Sequence, residues 1–159
     1  MSSFTSPLVV SPLPDGRHWR LVFPFRYHVG KRYGHDLVVV PVGFVTDFAS
    51  IPQMLIGIIG SIAVLVGYFK DTTWLLLAGV AITLLAIIFS RWGKYGKAAV
   101  VHDYLYLMKT RTRKAADGIF REGMLVLRVN RIQVFLMYWS VRAFGWPAWR
   151  LRKEAKVQQ

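Results

Sequence analysis

Only eight carboxylic acids occur in the 159 residues, against 21 lysines and arginines, and three of the eight sit in apolar or aromatic company. Asp47 lies in Thr46-Asp47-Phe48-Ala49-Ser50, Asp103 in Val101-His102-Asp103-Tyr104-Leu105-Tyr106, and Asp117 in Ala115-Ala116-Asp117-Gly118-Ile119-Phe120. Burying a carboxylate without a partner is costly, so each predicts one. Asp103 and Asp117 flank a polar turn at 110–113 at comparable distances, and an antiparallel helix pair would bring them face to face. His102 and Tyr106 are four apart and share a helix face, while Asp103 points about 100° away from His102. Two carboxylates, a histidine and a tyrosine suit an acid/base site, with Asp47, His102, Asp103 and Asp117 as the candidate catalytic residues, or a seat for a divalent cation. A structural reading of the same side chains has Asp47 capping a turn, His102 bonding a strand carbonyl and Asp117 pairing with Arg121 one helical turn later. No nucleophile elbow, P-loop, paired-histidine metal motif or dinucleotide fingerprint is present, and no cofactor is assigned. His18, His28 and His35 lack metal-ligand spacing.

The elements that must position these residues read as follows. Residues 17–29 and 36–47 are rich in Val, Phe, Tyr and Trp and flank the polar segment 30–35, predicting two strands joined by a turn. Pro24 and Pro41 push both toward edge or irregular pairing. Residues 98–109 and 114–128 read as helices around the turn at 110–113. An apolar stretch over 132–146, interrupted by Arg142 and closed by Pro147, reads as an amphipathic helix lying on a membrane surface or packed on the domain. The first twenty residues are rich in Ser and Pro and lack the basic start and apolar core of a secretory signal.

Between these blocks lie two apolar runs, 54–69 and 73–90, with no charge inside either and only Lys70 and Asp71 between them. As helices they would be about 24 and 27 Å long, slightly short of the ~30 Å hydrocarbon core. Tyr68, Phe69, Trp74, Trp92 and Tyr95 stand where an aromatic belt would complete the crossing, with Arg91, Lys94 and Lys97 as its basic flank. Ser50 and Pro52 suit an N-cap and a first turn for the first helix. The runs predict a transmembrane hairpin over 53–90 set into one discontinuous α+β domain, 1–52 with 91–159, built of a β-hairpin and antiparallel helices. Of the Lys and Arg residues only Lys70 lies between the runs, which puts both termini on the cytoplasmic side. A buried core hairpin is the alternative. Gly57 with Ser61, Ala63 with Gly67 and Gly79 with Thr83 are spaced four apart, either to seat the two helices together or to allow self-association.

The net charge of +13 would, by itself, point toward nucleic acid. Crowding of basic residues beside the apolar runs and in the tail (Arg150, Arg152, Lys153, Lys156) makes an anionic lipid surface the preferred partner and nucleic acid the weaker one. The chain has no cysteine, which excludes a disulfide framework and a Cys-based zinc site.

The segments Val40-Pro41-Val42-Gly43-Phe44-Val45-Thr46-Asp47-Phe48-Ala49-Ser50-Ile51-Pro52 and Tyr95-Gly96-Lys97-Ala98-Ala99-Val100-Val101-His102-Asp103-Tyr104-Leu105-Tyr106, followed by Ala116-Asp117, resemble the small phage and bacterial proteins of the domain of unknown function 1353 family. The resemblance implies occurrence in tailed phages and prophages and carries no established activity. Family members generally join the two blocks by a short connection, so the hairpin reads here as an insertion. Three functions are consistent with these features. The first is a phage- or prophage-type two-pass protein of the bacterial inner membrane, whose basic cytoplasmic domain binds a partner or lipid. A membrane-attached hydrolase using the Asp/His cluster is the second, and a virion or tail component with its apolar hairpin buried against other subunits is the third.

Overall fold

The computed structural model describes residues 2–48, 53–88 and 93–151. They contain six short strands, β1 (Ser3–Phe4), β2 (Val10–Pro12), β3 (Trp19–Leu21), β4 (Phe25–His28), β5 (Leu37–Val40) and β6 (Val45–Thr46). Five helices follow, α1 (Gln53–Phe69), α2 (Thr73–Ile88), α3 (Gly96–Met108), α4 (Arg113–Val126) and α5 (Arg131–Leu151). The chain divides into two compact units: a body of Met1–Ser50 with Lys94–Gln159, and the segment Ile51–Gly93.

The body is α+β with two antiparallel sheets, ordered β1-β4-β5 and β2-β3-β6. Each of the two strands expected over 17–29 and 36–47 is cut in two, and Pro24 and Pro41 stand at the cuts. A proline has no N–H for the ladder, so pairing stops on its two sides and resumes in another sheet. The inner halves pair Phe25 with Val40 and Tyr27 with Val38, while the outer halves pair Trp19 with Thr46. Side chains alternate about the strand axis. Phe25, Tyr27, Val38 and Val40 therefore enter the core with Val100, Val101 and Leu105 of α3, leaving Arg26, Leu37 and Val39 outside. Strands β1 and β2, for which the sequence gives no alternation signal, complete the sheets. Glu122 Oε1 holds the first of them in place by accepting from Ser2 Oγ, from Tyr27 OH at 3.0 Å and from the Gly30 N–H at 3.0 Å.

Helices α3 and α4 occupy the two expected segments, each starting one or two residues early. Thr112 caps α4, its hydroxyl accepting the Ala115 N–H at 3.2 Å, and Lys109 ends α3 in a left-handed conformation (φ 50°). The third expected helix does not stop at Pro147 but runs through it to Leu151. The carbonyl deprived of its donor is that of Ala143, and both Ala143 and Pro147 are exposed, so water can satisfy it. α5 buries Val134, Met137 and Val141 against the body.

The second unit is a helical hairpin seated by glycines. A Cβ on Gly67 would lie 2.5 Å from the Leu76 nitrogen, and one on Gly79 would lie 2.5 Å from the Val64 nitrogen. These notches serve the contact between α1 and α2, as does Gly60, whose added Cβ would meet Thr83 Oγ1 at 2.5 Å.

The transmembrane reading is overturned. The helices have 17 and 16 residues, giving lengths of about 26 and 24 Å, where a crossing needs about 20 residues. α5 has the length, with 21 residues, but carries Arg131, Arg142 and Arg150. Among the described residues no helix is long and apolar enough to cross a membrane. The placement in a bacterial inner membrane, with both termini on its cytoplasmic face, rested on two such spans and falls with them. The expected Ser50–Pro52 start of the hairpin and the positions Arg91 and Trp92 lie outside the described residues.

Candidate functional site

Antiparallel packing of α3 on α4 brings the His102–Tyr106 face of the first onto Asp117 of the second. His102 Nε2 lies 3.0 Å from Asp117 Oδ1, and the Tyr106 hydroxyl donates to the same oxygen at 2.6 Å. The other oxygen, Oδ2, accepts from Arg142 Nη1 of α5 at 2.9 Å. A carboxylate offers only acceptors, so the His102 nitrogen facing it carries the proton. Asp117 is 0% exposed and His102 3%, and Arg142 alone of the four reaches solvent. Aromatic rings wall the cluster: His102 lies 4.1 Å from Tyr106 and 4.8 Å from Phe120 between ring centroids, and Trp149 stands edge-on to Tyr106 at 5.0 Å. Burial by itself pushes the Asp117 carboxyl upward, but the bonds from His102, Tyr106 and Arg142 together outweigh it and hold the group below its ordinary 3.8. Burial first, then the hydrogen bond to Asp117, raises the Tyr106 phenol above its usual range. The bond to Asp117 raises the Arg142 guanidinium.

Asp103, one residue after His102, faces the sheet instead. Its Oδ2 accepts from Thr46 Oγ1 at 2.8 Å, and the same threonine oxygen accepts the Phe48 N–H at 3.1 Å. Thr46 and Asp103 are both buried, so this pair ties α3 to the end of β6. The face-to-face arrangement expected of Asp103 and Asp117 is replaced by separate partners, a consequence of the 100° step between adjacent helical residues. Asp47 is half-buried, one residue past Thr46, whose hydroxyl caps the same turn at the Phe48 N–H. The expected Asp117–Arg121 pair is absent from the described bonds; Arg121 lies over the Tyr138 ring at 5.8 Å.

Three members of the site escaped the sequence reading. Arg142 appeared only as an interruption of an apolar stretch, yet a lone cation there signals a buried acid. Thr46 precedes Asp47 in its motif. Gly145 is the third: a Cβ there would lie 2.7 Å from the Tyr106 oxygen, so only glycine lets α5 close over the cluster. Arg113 Nη1 fastens the same region by donating to the carbonyls of Arg142 at 3.1 Å and Val141 at 3.3 Å.

No group of three or more His, Asp and Glu side chains gathers as metal ligands among the described residues, which leaves the divalent-cation reading without a donor set. His18 pairs with Asp15, and His28 Nδ1 meets the Gly34 carbonyl at 3.0 Å. Of the expected interfacial residues, Tyr68 and Trp74 are exposed near the hairpin turn, and Lys94, in the body, is exposed as well. Lys97 is half-buried. Tyr95 belongs instead to the core of the body, where burial pushes its phenol up to about 12.

The sequence pattern described as "Protein of unknown function (DUF1353)" matches residues 19–66 and 74–141. The chain belongs to the DUF1353 family. The match runs through most of both hairpin helices and omits only 67–73 between its two parts, so the reading of the whole hairpin as an insertion is not supported. This DUF1353 chain is 34% identical over 118 residues to the "Uncharacterized protein y4jT" of Sinorhizobium fredii (strain NBRC 101917 / NGR234). The aligned part is 74% of this chain and 26% of that protein, so the DUF1353 chain spans about a quarter of the relative's length. No solved structure matches it.

Proposed function

We propose that this protein is a non-catalytic assembly module that self-associates through its α1–α2 hairpin, in keeping with the phage- or prophage-type setting its family resemblance implies. The exposure of two charge-free helices carries the reading. Leu65 and Leu84 are 56% and 55% exposed, and Ile58, Ile59, Ile62, Leu77 and Val80 are open as well. Contiguous apolar surface of this kind marks an interaction site. Ser61, Val64, Leu65, Val80, Thr83 and Leu84 line a groove of about 430 Å³ along the hairpin. Its hydroxyls are already spent, Ser61 donating to the Gly57 carbonyl and Thr83 to that of Gly79, each at 2.9 Å. What is left suits apolar packing alone. A surface without charge does not repel its own copy, and two hairpins packed face to face make a four-helix bundle with a two-fold interface. Against the hydrolase reading stands the sealing of Asp117, whose two oxygens are both engaged and out of reach of a substrate.

Light scattering on the full chain tests the proposal. The wild type forms a defined oligomer, and Leu65→Glu with Leu84→Glu gives a monomer of unchanged far-ultraviolet circular dichroism. A wild type that stays monomeric at every concentration would sink it.

A further inference from the structure

We propose that the outer face of α5 is a docking surface for anionic phospholipid headgroups, on which the helix lies flat without crossing. The inner face, Val134, Met137 and Val141, is buried in the body. Opposite it, Ile132, Phe135, Trp139, Trp146 and Arg150 recur at spacings of 3, 4, 7 and 4 and so form one straight stripe. Phe135 is 60% and Trp139 55% exposed, and the stripe is about 27 Å long.

Charge selects the occupant. α5 contains no acid; its Arg142 is spent on Asp117, and Arg131 and Arg150 stand at the two ends of the stripe, on a chain of net charge +13. An apolar face set with tryptophan and arginine matches an interfacial helix, with rings at the acyl boundary and guanidinium groups on phosphate. The Arg150 guanidinium sits 3.8 Å over the Trp146 ring, so cation and aromatic already act as one unit. A convex ridge holding Ile132 and Phe135 offers no basic groove in which a nucleic-acid strand could lie. The contact is independent of hairpin self-association.

Co-sedimentation of the full chain with phosphatidylcholine vesicles and with phosphatidylcholine–phosphatidylglycerol vesicles is the test. Binding to the anionic vesicles should fall by more than about tenfold in Phe135→Ser with Trp139→Ser. It should fall about fivefold in Arg150→Gln, one headgroup attraction removed. The hairpin variant Leu65→Glu with Leu84→Glu should bind as the wild type does. Ile132→Ser, a single change at an exposed site, serves if the double variant misfolds. Equal binding to neutral vesicles, loss in the hairpin variant alone, or binding of double-stranded DNA without binding of vesicles would each overturn the proposal.

Discussion

The Asp117 cluster and the α1–α2 hairpin solve opposite problems. The first puts a charge where no water reaches and satisfies both oxygens with three donors from two helices. The second puts leucine, isoleucine and valine where water does reach and leaves them uncovered. Fully partnered polar groups in a core fix how elements dock, whereas uncovered apolar groups on a surface call for something else to dock. Fold specificity and association are thus assigned to different residues, and substitutions should separate them.

The largest effect should come from Asp117→Ala, which strands His102, Tyr106 and the inner end of Arg142. Removing one partner of a buried charged pair costs about 3–5 kcal/mol, read as a drop in the urea midpoint of the body. Tyr106→Phe deletes one bond to a charged group and should cost about 1.5–3 kcal/mol on the same curve. Gly79→Leu should cost about 1–3 kcal/mol by forcing α1 and α2 apart, with amide exchange accelerating in the hairpin while α3 and α4 keep their protection. Leu65→Glu with Leu84→Glu should leave stability within about 0.5 kcal/mol and abolish only self-association. A stability loss in that last variant as large as in Asp117→Ala would erase the division drawn here.

Titration sharpens the same contrast. The folded Asp117 carboxyl lies below its ordinary 3.8, so its contribution is complete above that value and is lost as pH falls through the folded one. A melting temperature that drops below pH 4 in the wild type should drop less in Asp117→Asn. The phenols of Tyr27, Tyr95 and Tyr106 are raised from 10.0, so their contribution holds below pH 10 and is lost above it. Helices α1 and α2 carry no carboxylate, and self-association should therefore outlast acid conditions that weaken the body.

Legibility in the sequence followed the range of the interaction. The helix pair around 110–113 could be read because Thr112 and the apolar spacing act within a few residues, and the same spacing put His102 and Tyr106 on one face. What the spacing could not tell was which element comes to meet each carboxylate. Arg142 arrives from 25 residues beyond Asp117, and Thr46 from 57 before Asp103. Strands of two or three residues, such as β1 and β2, are too short to show alternation. The two uncharged runs were misjudged because absence of charge does not set the length of a helix, and among the described residues α1 and α2 span 17 and 16 residues.

The hydrogen atom that Gly145 carries in place of a side chain lets α5 come up against the Tyr106 hydroxyl, which an added Cβ would meet at 2.7 Å. A methyl group at that point would press on the Tyr106 hydroxyl, so that either Tyr106 loosens its bond to Asp117 or α5, with Trp139 and Phe135 on its outer face, gives way. What the molecule shows to its surroundings along that helix is therefore tied to a contact facing inward.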